Sequence, residues 1–390
     1  MTVQPLLFDA PLTGYEAQAQ ALFDGYSAAD PKALGLFRGC LPRFMDKDVV
    51  WLSTNPSDAE IVAANLCLDD ARMTVARQYN FRDWEALTAF ARSMEDRNSR
   101  AFRFESAVEA VIDGDCTGLR ALLAADPELV RARSARICNF DPPEHRATLL
   151  HYAAANGVEG YRQRTPPNAV AVAKLLLSAG AEVDAIADMY GAPCTTMSML
   201  VSSGHPAAAG VQVALIEALL DAGAAIDGAG ADKWGTPLMT ALLFGFPDAA
   251  YALARRGAHV DLLSAAAGLG NIDQVQSMLP SAPLEDRHSA LAISAQLGQV
   301  NVVRLLLDAG EDPNRYNPPN QHAHSTPLHQ AIAAGHIDVV RMLVERGARL
   351  DIKDTIFKGS PLGWAEHCNK PAIADYLRSQ GAKTSAELDS

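Results

Sequence analysis

Residues 326–348 read TPLHQAIAAGHIDVVRMLVERGA, and their apolar positions fall on two short helical stripes. Leu328, Ala331 and Ile332 recur at helical spacing, and so do Val339, Val340, Met342 and Leu343. Thr326 suits an N-cap, and Pro327 suits the first helical position, where its missing N–H costs nothing. Gly335 and Gly347 are placed to close the two helices in left-handed caps. The pattern predicts helix, turn, helix. One such pair cannot bury its own apolar stripe, so the pattern also predicts stacked neighbours.

Neighbours of the same kind are present. SALAISAQLGQVNVVRLLLDAGE (289–311), TPLMTALLFGFPDAAYALARRGA (236–258) and SPLGWAEHCNKPAIADYLRSQGA (360–382) repeat the stripes and the closing glycine. In this register about eight units start at Glu105, Thr148, Thr195, Thr236, Asp261, Ser289, Thr326 and Ser360. The mid-unit turn falls on Gly114, Gly157, Gly204, Gly245, Gly270, Gly298, Gly335 and Asn369. The TPLH start and the period resemble the ankyrin repeat. The resemblance covers about 105–383 and implies an all-α ankyrin-repeat solenoid of about eight helix-turn-helix units, with the array at 101–384 and a tail at 385–390. It further implies a binding protein that uses its fingers and inner helices as a concave recognition surface.

Residues 1–100 do not follow the repeat. Their apolar spacing predicts helices at 14–28, 31–41, 58–79 and 83–96, with a capping box from Ser57 to Glu60. The run LDDARMTVARQYNFRDWEALTAFAR (68–92) resembles a helical segment found ahead of ankyrin arrays in bacterial proteins. The expectation is an N-terminal helical cap over the first repeat, since solenoid ends need polar-faced covers.

The array is irregular. The connection from Gly257 to Asp261 is nearly absent and that from Ala282 to Ser289 is short, whereas 311–325 is long. Extra residues enlarge the helix-to-helix turns at 158–168 and 205–210. Missing fingers between long ones suggest a recess flanked by the 181–194 and 311–325 loops, because lengthened loops on a rigid scaffold commonly carry binding groups. A recess of this kind would take a small molecule or form an enzymatic site; simple drift of loop length is the other reading.

Candidate binding residues follow from these departures. Tyr161 and Arg162, with Arg164, make a basic-aromatic patch in the first enlarged turn, suited either to an anion or to pinning that turn by Arg–carboxylate pairs. Thr195 and Thr196 replace the TPLH start with hydroxyls, either to hold an anion or to cap their helix. Tyr190 and Trp234 stand at finger tips as possible recognition aromatics. Arg315, Tyr316, Asn317, His322 and His324 lie in NRYNPPNQHAHSTPLH (314–329) and offer directed hydrogen bonds. The HxH pair would suit zinc or copper with a third ligand, and none is written beside it. No metal or cofactor is expected. His151 and His329, at the fourth position of their units, are expected to bond the helix start.

Composition narrows the partners. Hydrophobic residues make up 49% of the chain, enough for a sizeable core. Lys plus Arg is 33 against 46 Asp plus Glu, a formal charge of −13 that disfavours nucleic acid. It favours a protein partner with a cation-rich or polar segment. Six cysteines without CxxC spacing point to reduced thiols and a cytoplasmic protein. The start, MTVQPLLFDAPL, lacks a basic run and a long apolar stretch, so no signal peptide and no membrane span are expected. P-loop, GxGxxG, GxSxG and HExxH strings are absent in usable contexts, which argues against familiar enzymes and leaves a site assembled from several repeats open. The sequence leaves the oligomeric state open, including self-association.

Overall fold

An inner helix with a neighbouring repeat on each side is built of small residues and is buried all round. Leu263–Gly268 shows this most simply: all six residues are buried, five of them Ala, Ser, Gly or their like around one leucine. The computed structural model describes residues 5–49, 52–157, 159–229 and 235–390. The chain divides into two compact units, Met1–Lys233 and Trp234–Ser390.

In the first unit α1 (Leu12–Ser27), α2 (Pro31–Cys40), α3 (Asp58–Ala63), α4 (Leu68–Gln78) and α5 (Trp84–Ser93) form an N-terminal bundle. Repeat helices follow: α6 (Arg100–Asp113), α7 (Cys116–Ala125), α8 (Leu149–Ala153), α9 (Ala169–Ser178), α10 (Thr196–Val201), α11 (Gly204–Ala208) and α12 (Gln212–Asp221). Inner helices α6, α8 and α10 pack in one row, and α7, α9 and α12 in the other. One antiparallel hairpin, β1 (Ala187–Met189) with β2 (Ala192–Cys194), forms a finger.

In the second unit the inner row is α13 (Pro237–Leu243), α15 (Leu263–Gly268), α17 (Leu284–Gln296), α19 (Pro327–Ala334) and α21 (Pro361–His367). The outer row is α14 (Pro247–Arg255), α16 (Ile272–Met278), α18 (Val300–Asp308), α20 (Ile337–Glu345) and α22 (Pro371–Ser379). A continuous apolar cluster runs through it, from Leu263 and Ala266 to Ala374 and Leu377. Residues 385–390 are more than a tail: α23 (Ser385–Asp389) is capped by Thr384, and Lys353 Nζ donates to Asp389 at 2.6 Å.

Several local expectations are corrected. The single helix expected at 58–79 is two, α3 and α4. Asn65 turns left-handed (φ 50°), and the Asp70 carboxylate accepts from Cys67 N–H to start a new helix. The mid-unit turn is left-handed at Gly114, Gly245, Gly270, Gly298, Gly335 and Asn369, but not at Gly157 or Gly204. Those two belong to the enlarged turns, where Ala155 and Gly210 take the left-handed conformation instead. Gly298 is required by space as well as by its φ of 75°: a Cβ there would lie 2.7 Å from His336 Nδ1 of the next repeat.

Three of the expected unit starts are not helix starts. Glu105 lies inside α6, which is capped earlier by Ser99. Ser289 lies inside α17, because residues after the short connection extend the helix and not a finger. Near Asp261, helix α15 begins at Leu263, and the Asp286 carboxylate of the next repeat accepts from Leu263 and Ser264 N–H at 2.9 and 3.2 Å.

Candidate binding site

Three separate stretches bring charge to one buried point of the first unit. Helix α6 supplies Glu105 and, one turn on, Glu109. The first finger, 133–147, supplies Arg136 and His145. The enlarged turn supplies Glu159 and Arg162. Arg162 Nη1 donates to Glu105 Oε2 at 2.6 Å and Nη2 lies 3.0 Å from Glu109. Arg136 Nε lies 3.1 Å from Glu159, and its Nη2 donates to Tyr79 O at 3.2 Å. Tyr152 Oη donates to Glu159 at 2.9 Å. Burial alone would raise the Glu159 carboxyl, but His145, Arg136 and Arg162 outweigh it and hold the group well below the usual carboxylate range.

This network joins the N-terminal bundle to the array. Arg136 lies over the Phe81 and Phe90 rings, 4.2 and 4.3 Å from their centroids. Arg82 N–H donates to Ile137 O, and Gly160 N–H donates to Asn80 Oδ1. Tyr161 meets Tyr79 edge-on at 5.2 Å. Above the network, α5, α6 and residues 131–137 enclose an open cleft of about 610 Å³.

Of the residues singled out from sequence, Tyr161, Arg162 and Tyr190 are brought together around the enlarged turn. Arg162 is 2% exposed, its charge spent on Glu105 and Glu109, while Arg164 pairs with Glu109 and Asp113. Tyr190, at the tip of the hairpin, donates to Gly157 O at 2.7 Å and accepts from Gln163; burial pushes its phenol up to about 12. Thr195 and Thr196 are buried, and Thr195 caps the six-residue α10 by accepting from Ser198 N–H. Trp234 lies outside the described residues.

The remaining candidates occupy the 311–325 finger of the second unit, whereas the 181–194 loop belongs to the first. Asn317 is buried and bonded to Ser325. Tyr316 donates to Lys353 O of the next finger at 2.7 Å, and Arg315 pairs with Glu285 at 3.1 Å. His324 Nδ1 lies 3.6 Å from the buried Asp354, between the Phe357 and Trp364 rings. His322 is exposed, in left-handed backbone, with its ring 6.3 Å from that of His324. Among the described residues, no three His, Cys, Asp or Glu side chains converge as metal ligands would.

The family model for ankyrin repeats (three copies) matches residues 262–354. Human cyclin-dependent kinase inhibitor 2A is 30% identical over 129 residues, which is 32% of this chain and 80% of that protein. The chain belongs to the ankyrin-repeat family. Mouse ankyrin repeat and SAM domain-containing protein 6 is 31% identical over 111 residues, 28% of this chain. The Caenorhabditis elegans ankyrin repeat and KH domain-containing protein mask-1 is 25% identical over 226 residues, 56% of this chain. The chain spans only 12% and 8% of those two proteins' lengths.

In ankyrin terms the fourth-position histidines are clasps between repeats. Thr326 N–H donates to His329 Nδ1 at 3.3 Å, and His329 Nε2 faces Gly359 O, just before the next unit, also at 3.3 Å. His151 makes the same bonds to Thr148 and Cys194 O. Both sets of bonds are met by the neutral ring with its proton on Nε2. Burial lowers both imidazoles from 6.5 to about 4. Between those values the unfolded chain binds more protons than the folded one. Stability is therefore expected to fall as pH drops from about 6.5 to about 4, by up to about 3 kcal/mol per histidine. Urea unfolding across this range checks it: the double variant His151→Gln/His329→Gln should flatten the slope, and a flat wild-type profile would contradict it.

Proposed function

We propose that this protein is a binding module that recognises another protein through its fingers and inner helices. One observation carries the reading. Four successive repeats of the second unit each expose a large apolar side chain, in the finger or at the start of the inner helix. These are Leu262 (47% exposed), Leu284 (68%), Tyr316 (41%) and Phe357 (56%). Water-facing apolar groups recurring once per repeat are what an interface needs and a solvated edge does not. Their surroundings are polar and the chain is acidic, so the partner presents apolar anchors within a cationic or polar segment. In the same reading residues 1–100 cap an array at 101–384, Arg315, His322 and His324 flank the row, and the protein acts in the cytoplasm, as the bacterial-type 68–92 run and the reduced cysteines suggest. Among the described residues no helix is long and apolar enough to cross a membrane.

The test compares wild type with Leu284→Asp/Phe357→Asp, both immobilised and exposed to lysate, with bound protein quantified by mass spectrometry. A specific partner should be lost by at least about tenfold in the variant while its melting curve is unchanged. Equal capture by both would remove this surface from the reading.

A further inference from the structure

We propose that the cleft between α5, α6 and the first finger binds a small amphipathic anion: an apolar body bearing one carboxylate, sulfonate or phosphate head. The proposal stands apart from the apolar row of the second unit.

The cleft volume, about 610 Å³, falls in the range of small-molecule sites. Its walls are apolar: Phe90 from α5, Met94 just after it, Phe104 from α6, and Ile137 from the finger. Its charges run against those of the whole chain. In a protein of net charge −13, four arginines line this one cleft, Arg100, Arg131, Arg133 and Arg136, against the single carboxylate of Glu105. Glu105 is already taken at 2.6 Å by Arg162.

The four arginines differ in what they have left to give. Arg133 is engaged, donating to Arg146 O at 3.1 Å and to Ile186 O. Arg100 and Arg131 are exposed at the rim and make no ion pair among the described residues. Arg136 is 4% exposed and lies over the Phe81 and Phe90 rings. Its Nη1 has no hydrogen-bond acceptor, with Glu105 Oε2 at 3.8 Å. The Arg136 charge is answered by Glu159 and Glu105, so Arg136 forms part of the inner wall and the grip on an anion falls to Arg100 and Arg131. An apolar body would displace water from the Phe90–Phe104 walls, and its head would meet Arg100 and Arg131 at the rim.

The probe is 8-anilinonaphthalene-1-sulfonate, with the full-length protein. Saturable one-to-one binding is expected, displaced by dodecanoate and not by dodecanol. Two variants test the site from different sides. Ala101→Trp fills the cleft from an exposed position of α6, and Arg100→Glu/Arg131→Glu reverses the rim charge. Each should weaken binding at least about tenfold with an unchanged urea midpoint. Wild-type binding by both variants would overturn the proposal. So would equal displacement by dodecanol, or displacement by an Asp/Glu-rich peptide and not by dodecanoate.

Discussion

Glu159→Ala is expected to destabilise the first unit by about 3–5 kcal/mol, because it leaves buried arginines without their counter-charge. Glu159 is 2% exposed and faces Arg136 at 3.1 Å, His145 at 3.5 Å and Arg162 at 4.0 Å. The loss reaches further than one ion pair. Tyr152 Oη would lose its acceptor, and Arg136 would keep only Tyr79 O and a distant Glu105. Since Arg136 also ties the bundle to the first finger, the N-terminal helices should loosen together with α6 and α8. Urea unfolding followed by far-UV circular dichroism at neutral pH measures this. The contrasting variant is Arg164→Ala, whose pairs with Glu109 and Asp113 involve a side chain 45% exposed. That change should cost less than about 1 kcal/mol. Equal effects of the two variants would mean that the buried network adds nothing beyond a surface pair.

Leu291→Ala should cost the second unit about 3–5 kcal/mol. Leu291 is fully buried in α17, which packs against α15 on one side and α19 on the other. A cavity there weakens two repeat interfaces at once, and in a stacked array stability is close to a sum of such nearest-neighbour terms. Leu291 belongs to the continuous apolar cluster of this unit, and its truncation leaves a cavity inside that cluster. Thermal unfolding of wild type and variant reads the difference. Leu284→Ala, on the same helix but 68% exposed, should change stability by less than about 0.5 kcal/mol. A Leu291→Ala protein that melts with wild type would mean the stack does not depend on this layer.

Much of the repeat was legible from local chemistry. Thr326, Pro327, Gly335 and Gly347 act on their own neighbours: cap, first turn and left-handed stop are decided within a few residues. Where the reading failed, a competing local preference or a distant partner intervened. Asn65 broke a helix whose apolar spacing ran on to 79. Gly157 and Gly204 lost their turn role because the inserted residues moved the left-handed positions to Ala155 and Gly210. The start of α15 is capped from the next repeat by Asp286, which no pattern around Asp261 announces. Arg162 was visible as a charged residue in an odd turn, but Glu105, its partner, lies in another repeat. The cleft was invisible for the same reason: its walls come from α5, α6 and a finger, each unremarkable alone.

By itself, then, the sequence determined the all-α repeat, its caps and the charge of the whole chain, because periodicity and turn chemistry are short-range and charge is additive. Only the tertiary structure decided which charges are buried against one another and where four arginines surround a cavity. Burial and pairing depend on distances between segments far apart in the chain, and no spacing along it encodes them.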